Sequence, residues 1–154
     1  MHRTRPAPRC WIGTTFALLA FTLSIPGYAK VLHEERSVYT RIIVEDERNL
    51  RCLKFTLVRE NSRQTCMDRN NPQRLVFDYA KMTLSALLLK PDPKRILIMG
   101  LGGGTLPMAL RDILPSTVID TVEIDEAVVR VAKRFFDFAE DDQNRVYVQD
   151  ARVF

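Results

Sequence analysis

The segment that most restricts the fold of this chain is Arg95-Ile96-Leu97-Ile98-Met99-Gly100-Leu101-Gly102-Gly103-Gly104-Thr105. Its apolar run is too short for a helix and reads as a buried parallel strand. The glycines that follow let the backbone turn sharply and approach a ligand without interference from Cβ atoms. A helix beginning at Thr105 then presents unpaired N–H groups at the same end. A second strand-like run, residues 117–122, leads to Glu123, which lies 23 positions after Gly100. An acidic side chain at the carboxyl end of that strand can accept both hydroxyls of a ribose. Together the turn and the glutamate predict a nucleoside-binding site.

The pattern continues from there as helix (105–114), strand (118–123), helix (125–138) and strand (145–149). The second helix carries Val128, Val131, Ala132 and Phe135 on one face. This β-α-β-α-β order predicts a parallel sheet with right-handed crossovers. Upstream the signals are different. Residues 38–44 are dense in β-branched side chains and read as a strand, followed by a polar turn at 45–49. Residues 50–58 alternate, with Leu53, Phe55 and Leu57 on one face and Cys52, Lys54 and Thr56 on the other. A polar turn at 59–63 leads to a return strand through Met67. Asn71-Pro72 reads as a cap and first-turn proline for a helix over 73–89, with Leu75, Val76, Tyr79, Met82, Ala86 and Leu87 at helical spacing. Lys90-Pro91-Asp92-Pro93 ends it. The expected organisation is an α/β chain with a small antiparallel β domain over 30–70, a connecting helix and linker over 71–93, and a partial nucleoside-binding domain over 94–154.

Residues 1–29 stand apart. Arg3, Arg5 and Arg9 precede an apolar run from Trp11 to Ile25, and Pro26-Gly27-Tyr28-Ala29 forms a small-residue exit. This is the outline of a cleaved secretory signal peptide, the run being short against the roughly 20 residues a membrane span needs. The expectation is an exported, periplasmic protein that meets the membrane only if the leader stays uncleaved as an anchor. Those three arginines account for most of the formal charge of +4. The rest of the chain has no basic stripe with interleaved aromatics, which argues against nucleic-acid binding. Cys10 leaves with the leader. Cys52 and Cys66 fall on neighbouring strands, where export favours a disulfide over two half-buried thiols.

Other candidates surround the glycine turn. Gly100, Gly102 and Gly104 either make room for a nucleoside-linked chain or permit close helix packing. Asp125 is the natural N-cap of the second helix and also a candidate on the binding rim. Asp150 ends the third strand, where a carboxylate can accept a hydrogen bond from an exocyclic amine such as that of adenine.

These positions resemble the fold shared by S-adenosylmethionine methyltransferases and the spermidine synthases, and are closer to the spermidine synthase-like family of polyamine aminopropyltransferases. Methyltransferases usually carry an acid two positions before the first glycine, where this chain has Ile98. The family also begins with a small β domain containing a Ser-x-Tyr segment, here Ser37-Val38-Tyr39. The resemblance implies the first half of a Rossmann-like methyltransferase-type fold, Glu123 as ribose ligand, Asp150-Ala151 as adenine contact and Tyr39 as a substrate contact. It also implies a donor, decarboxylated S-adenosylmethionine or S-adenosylmethionine itself, a small-molecule amine acceptor and no metal.

The chain departs from the family in several places. Residues 100–105 contain no acid to hold the donor's amine, Thr40 stands where a glutamine follows the tyrosine, and Phe77-Asp78-Tyr79 lacks the tyrosine-histidine-glutamate sequence. No catalytic residue is assigned within the chain, because the family's catalytic aspartate is expected beyond Phe154. The strands present supply the half of the sheet ordered 3-2-1, which leaves residues 96–99, apolar on both faces, at an open edge. The expectation is a truncated product or fragment, or a homo-oligomer covering that edge. Three functions stay open: an aminopropyl transferase, inactive in this form; a methyltransferase; and a noncatalytic exported binding or scaffold protein.

Overall fold

The computed structural model describes residues 29–56 and 63–154. The expected leader up to residue 28 and residues 57–62, which hold the end of the strand expected over 50–58 and most of the polar turn expected at 59–63, lie outside the described residues. Five strands, β1 (Lys30–Arg36), β2 (Arg41–Glu47), β3 (Leu50–Phe55), β4 (Arg63–Asp68) and β5 (Asn71–Leu75), form an antiparallel meander. Two short helices follow, α1 (Asp78–Thr83) and α2 (Ala86–Leu89). The remainder is β6 (Arg95–Met99), α3 (Thr105–Ile113), β7 (Val118–Glu123), α4 (Glu126–Phe135) and β8 (Asn144–Val148). β6, β7 and β8 pair in parallel in that order. The chain is therefore α/β, with an antiparallel sheet before a parallel one. Among the described residues no helix is long and apolar enough to cross a membrane.

Four elements differ most from the sequence expectation. The charged stretch Lys-Val-Leu-His-Glu-Glu-Arg forms β1, an edge strand paired only to β2 among the described residues, and charge along an edge strand discourages further pairing. Asn71-Pro72 does not start a helix. It begins β5, a second edge strand, where a proline's missing donor costs no ladder bond. Arg74 ties this strand to β4 through Asp68 at 3.0 Å. The helix starts only at Asp78 and is interrupted at Leu84 and Ser85, where the Ser85 hydroxyl donates to the Met82 carbonyl at 2.6 Å. α4 ends at Phe135 rather than at 138. Asp137, at φ 58°, reverses the backbone there and allows both Phe136 and Phe138 to be buried.

One hydrophobic core joins the two sheets. Ile42, Val44, Leu53 and Met67 of the meander pack with Ala127, Val128, Val131 and Ala132 of α4 and with Leu101, Phe136 and Phe138. Arg51 reinforces the junction, donating to the Phe135 carbonyl at 3.0 Å while paired with Asp46. The Arg51 side chain beside Asp46 holds that carboxyl below its ordinary range. β6 pairs on one side only among the described residues, and Leu97 and Met99 are 55% and 74% exposed.

Cys52 and Cys66 stand directly opposite each other in the β3–β4 ladder, both buried, and are joined by a disulfide. They are 14 residues apart, and closing a loop of about 15 residues lowers the entropy of the unfolded chain enough to stabilise the fold by about 3 kcal/mol. The Cys52→Ala/Cys66→Ala double variant is expected to lose stability of that order in urea denaturation. An unchanged midpoint would show that the ladder and core hold this hairpin unaided.

Candidate functional site

The carboxyl ends of β6 and β7 open onto a cleft of about 310 Å³, near the lower end of the size range of small-molecule sites. Its position is that of ligand sites in open α/β sheets, beyond the ends of the parallel strands. Gly100, Gly102 and Glu123 line it, together with Thr65 and Gln64 of β4, Phe55 of β3 and Tyr79 of α1.

The glycine turn is tight because Gly100 N–H still donates to the Val122 carbonyl of β7 at 2.8 Å, and Gly104 N–H to the Leu101 carbonyl at 3.0 Å. Gly100, Gly102 and Gly104 all have positive φ, at 93°, 57° and 75°. They serve different ends. A Cβ on Gly104 would lie 2.4 Å from a ring carbon of Phe138, and one on Gly102 would lie 2.4 Å from Thr65 Oγ1. At those positions the space is filled by the protein's own side chains. A Cβ on Gly100 would meet nothing within 4 Å. Of the three glycines, only Gly100 gives its room to the cleft.

Glu123 is held by backbone on both sides. Its Oε2 accepts from Leu101 N–H at 2.8 Å and its Oε1 from Asp125 N–H at 3.0 Å, with the residue 9% exposed. One carboxylate thus braces the glycine turn and the turn into α4. Each oxygen keeps a second lone pair, so two hydroxyls can still be accepted from the cleft.

Asp125 is buried and caps α4, its Oδ1 accepting from Ala127 N–H at 3.0 Å. It is absent from the cleft lining. Asp150 and Ala151 follow β8, and neither lines this cleft. The Asp150 carboxylate is taken by Arg152, through Nε at 3.0 Å and the backbone N–H at 2.9 Å. The Arg152 guanidinium, then its N–H, hold the Asp150 pKa down to about 2. To meet an adenine amine, Asp150 must share or release that arginine. Tyr39, 51% exposed, lines a separate shallow cleft with Ser37, Thr40 and Arg41. The Ser37 hydroxyl shapes that loop by accepting from the N–H groups of Tyr39 and Thr40. Among the described residues no group of three or more His, Cys, Asp or Glu side chains could hold a metal ion.

Sequence reasoning missed the far wall of the cleft. Thr65 Oγ1 accepts from Gly103 N–H at 3.1 Å, and the Tyr79 hydroxyl donates to the Gln64 carbonyl at 3.2 Å. Gly103 lies 38 residues from Thr65, and nothing in the local pattern of either segment points to the other.

No family profile matches the chain. Among curated relatives, a polyamine aminopropyltransferase of Vibrio vulnificus is 43% identical over 143 residues, which is 90% of this chain and 48% of that protein. An eEF1A lysine and N-terminal methyltransferase of Xenopus laevis is 32% identical over 97 residues, 58% of this chain and 14% of that one. The chain thus spans about half the length of the first and a small part of the second. Among solved structures, a probable spermidine synthase from Corynebacterium glutamicum superposes with a TM-score of 0.64 at 19% identity, over 79% of this chain and 45% of that one. A spermidine synthase solved with the transition-state analogue AdoDATO gives 0.56 at 21% identity, over 77% and 40%.

Proposed function

We propose that this chain, which is spermidine synthase-like in sequence and fold, supplies the nucleoside-holding part of an aminopropyl transferase. The observation that carries the reading is the pairing of Glu123, held by two backbone N–H groups at the rim, with Gly100, whose missing side chain leaves the cleft open beside it. The donor is an S-adenosylmethionine-type molecule, and we assign the decarboxylated form. The AdoDATO complex of a structural neighbour and the Vibrio vulnificus relative support this assignment.

In the proposed reaction a neutral amine attacks the carbon beside the sulfonium, a C–N bond forms as the C–S bond breaks, and the thioether nucleoside leaves. Glu123 orients the ribose and the apolar wall of Phe55, Ile98 and Leu106 excludes water, so the protein acts mainly by positioning. The amine must also lose a proton. Among the described residues Glu123 is the one carboxylate lining the cleft, and it is committed to backbone, so we assign the base to a carboxylate outside this lining.

A methyltransferase is the second reading, favoured by the Xenopus laevis relative. Isothermal titration separates the two. Methylthioadenosine, the neutral leaving group, is expected to bind at least tenfold more tightly than S-adenosylhomocysteine. The reverse order supports methyl transfer, and no heat from either ligand leaves the noncatalytic scaffold. We also place the mature chain outside the cytoplasm, on the leader-like residues 1–29, and the Cys52–Cys66 bond supports that placement.

A further inference from the structure

We propose that Thr65 is a positioning residue of the nucleoside site, setting the glycine turn from the side opposite Glu123. Among the described residues two side chains, from different sheets, reach the backbone N–H groups of this turn. Glu123 of β7 takes Leu101 N–H at 2.8 Å, and Thr65 of β4 takes Gly103 N–H at 3.1 Å. Gly102, which lines the cleft, lies between these two fixed points. Among the described residues no side chain caps the N-terminus of α3, so these two anchors join the backbone bonds from Gly100 N–H and Gly104 N–H in setting the path of the turn.

Thr65 is suited to the task by both of its branches. Its hydroxyl oxygen would be 2.4 Å from a Cβ on Gly102 and its methyl 2.8 Å from one on Gly103, so backbone and side chain are in close contact on both sides. The residue is 6% exposed and pairs with Leu53 across the ladder. Cys66, the next residue, is covalently tied to Cys52, which fixes β4 beside the turn. A shift of Thr65 therefore moves Gly102 and Gly103 relative to Glu123, and so changes the width of the cleft where the ribose would sit.

The inference rests on the nucleoside reading of the cleft, and its test separates the two. Thr65→Val keeps the shape and removes the acceptor, whereas Thr65→Ser keeps the acceptor. In the full chain, Thr65→Val is expected to bind methylthioadenosine about tenfold more weakly, the worth of about one hydrogen bond, and Thr65→Ser within about twofold of wild type. Hydrogen exchange at the Gly102–Gly103 amides is expected to quicken in the valine variant and stay unchanged in the serine variant. Thr65→Ala replaces the valine variant if that one does not fold. Unaltered exchange without the hydroxyl, or a serine variant as weak as valine, overturns the proposal. A wild-type chain that binds no methylthioadenosine overturns the nucleoside reading, while exchange still decides whether Thr65 holds the turn.

Discussion

Gly104→Ala is expected to cost about 2 to 5 kcal/mol of stability. A left-handed backbone conformation at alanine costs about 1 to 2 kcal/mol, and Gly104 has φ 75°. The added methyl would also fall 2.4 Å from Cδ2 of Phe138, a ring that is 3% exposed. Overpacking of that kind costs about 1 to 3 kcal/mol, occasionally more. Set against a usual total of about 5 to 15 kcal/mol, the loss leaves little folded protein under mild denaturing conditions. Gly100→Ala is the control, since its methyl meets nothing within 4 Å and only the backbone cost at φ 93° applies. That variant should stay folded and lose nucleoside affinity, because the methyl enters the cleft. Urea denaturation and methylthioadenosine titration of both variants check the contrast. A Gly104→Ala chain as stable as wild type would show that the Phe138 ring can move aside.

Glu123→Gln should nearly abolish nucleoside binding, by about 100-fold. Two hydroxyl-to-carboxylate bonds at about 1.5 to 3 kcal/mol each set that scale once the amide retains part of the interaction. Stability should fall as well, by about 2 kcal/mol. The amide has one oxygen where the carboxylate has two, so its NH₂ must face the N–H of either Leu101 or Asp125. Titration and urea denaturation read the two effects separately. Full affinity in a variant that has lost stability would make Glu123 a brace for the turns and nothing more.

The parallel unit was legible because its signals are local. An apolar run from Ile96 to Met99, glycines directly after it, and a glutamate ending the next run need no knowledge of tertiary contacts. Asp125 as the cap of α4 was legible for the same reason. β1 was hidden because an edge strand carries charge to protect itself, and charge reads as loop. The false helix start at Asn71-Pro72 came from a dipeptide whose features suit a helix N-terminus and an edge strand equally. The work of Gly102 and Gly104 was illegible because it depends on Thr65 and Phe138, which come from other elements. The Asp150–Arg152 pair was within reach of a local reading, since the two residues are neighbours on the same turn.

The core shared by the meander and α4 bears on how the chain is made. Arg51 meets the Phe135 carbonyl across 84 residues, and Ile42, Val44 and Leu53 wait for helix residues that are synthesised much later. At about 5 to 20 residues per second, the ribosome leaves those apolar faces uncovered for on the order of ten seconds. The meander thus emerges first, from the ribosome and from any membrane that the proposed leader directs it across, as a half-covered surface, and the interval before α4 follows is the natural point for a holdase to engage it.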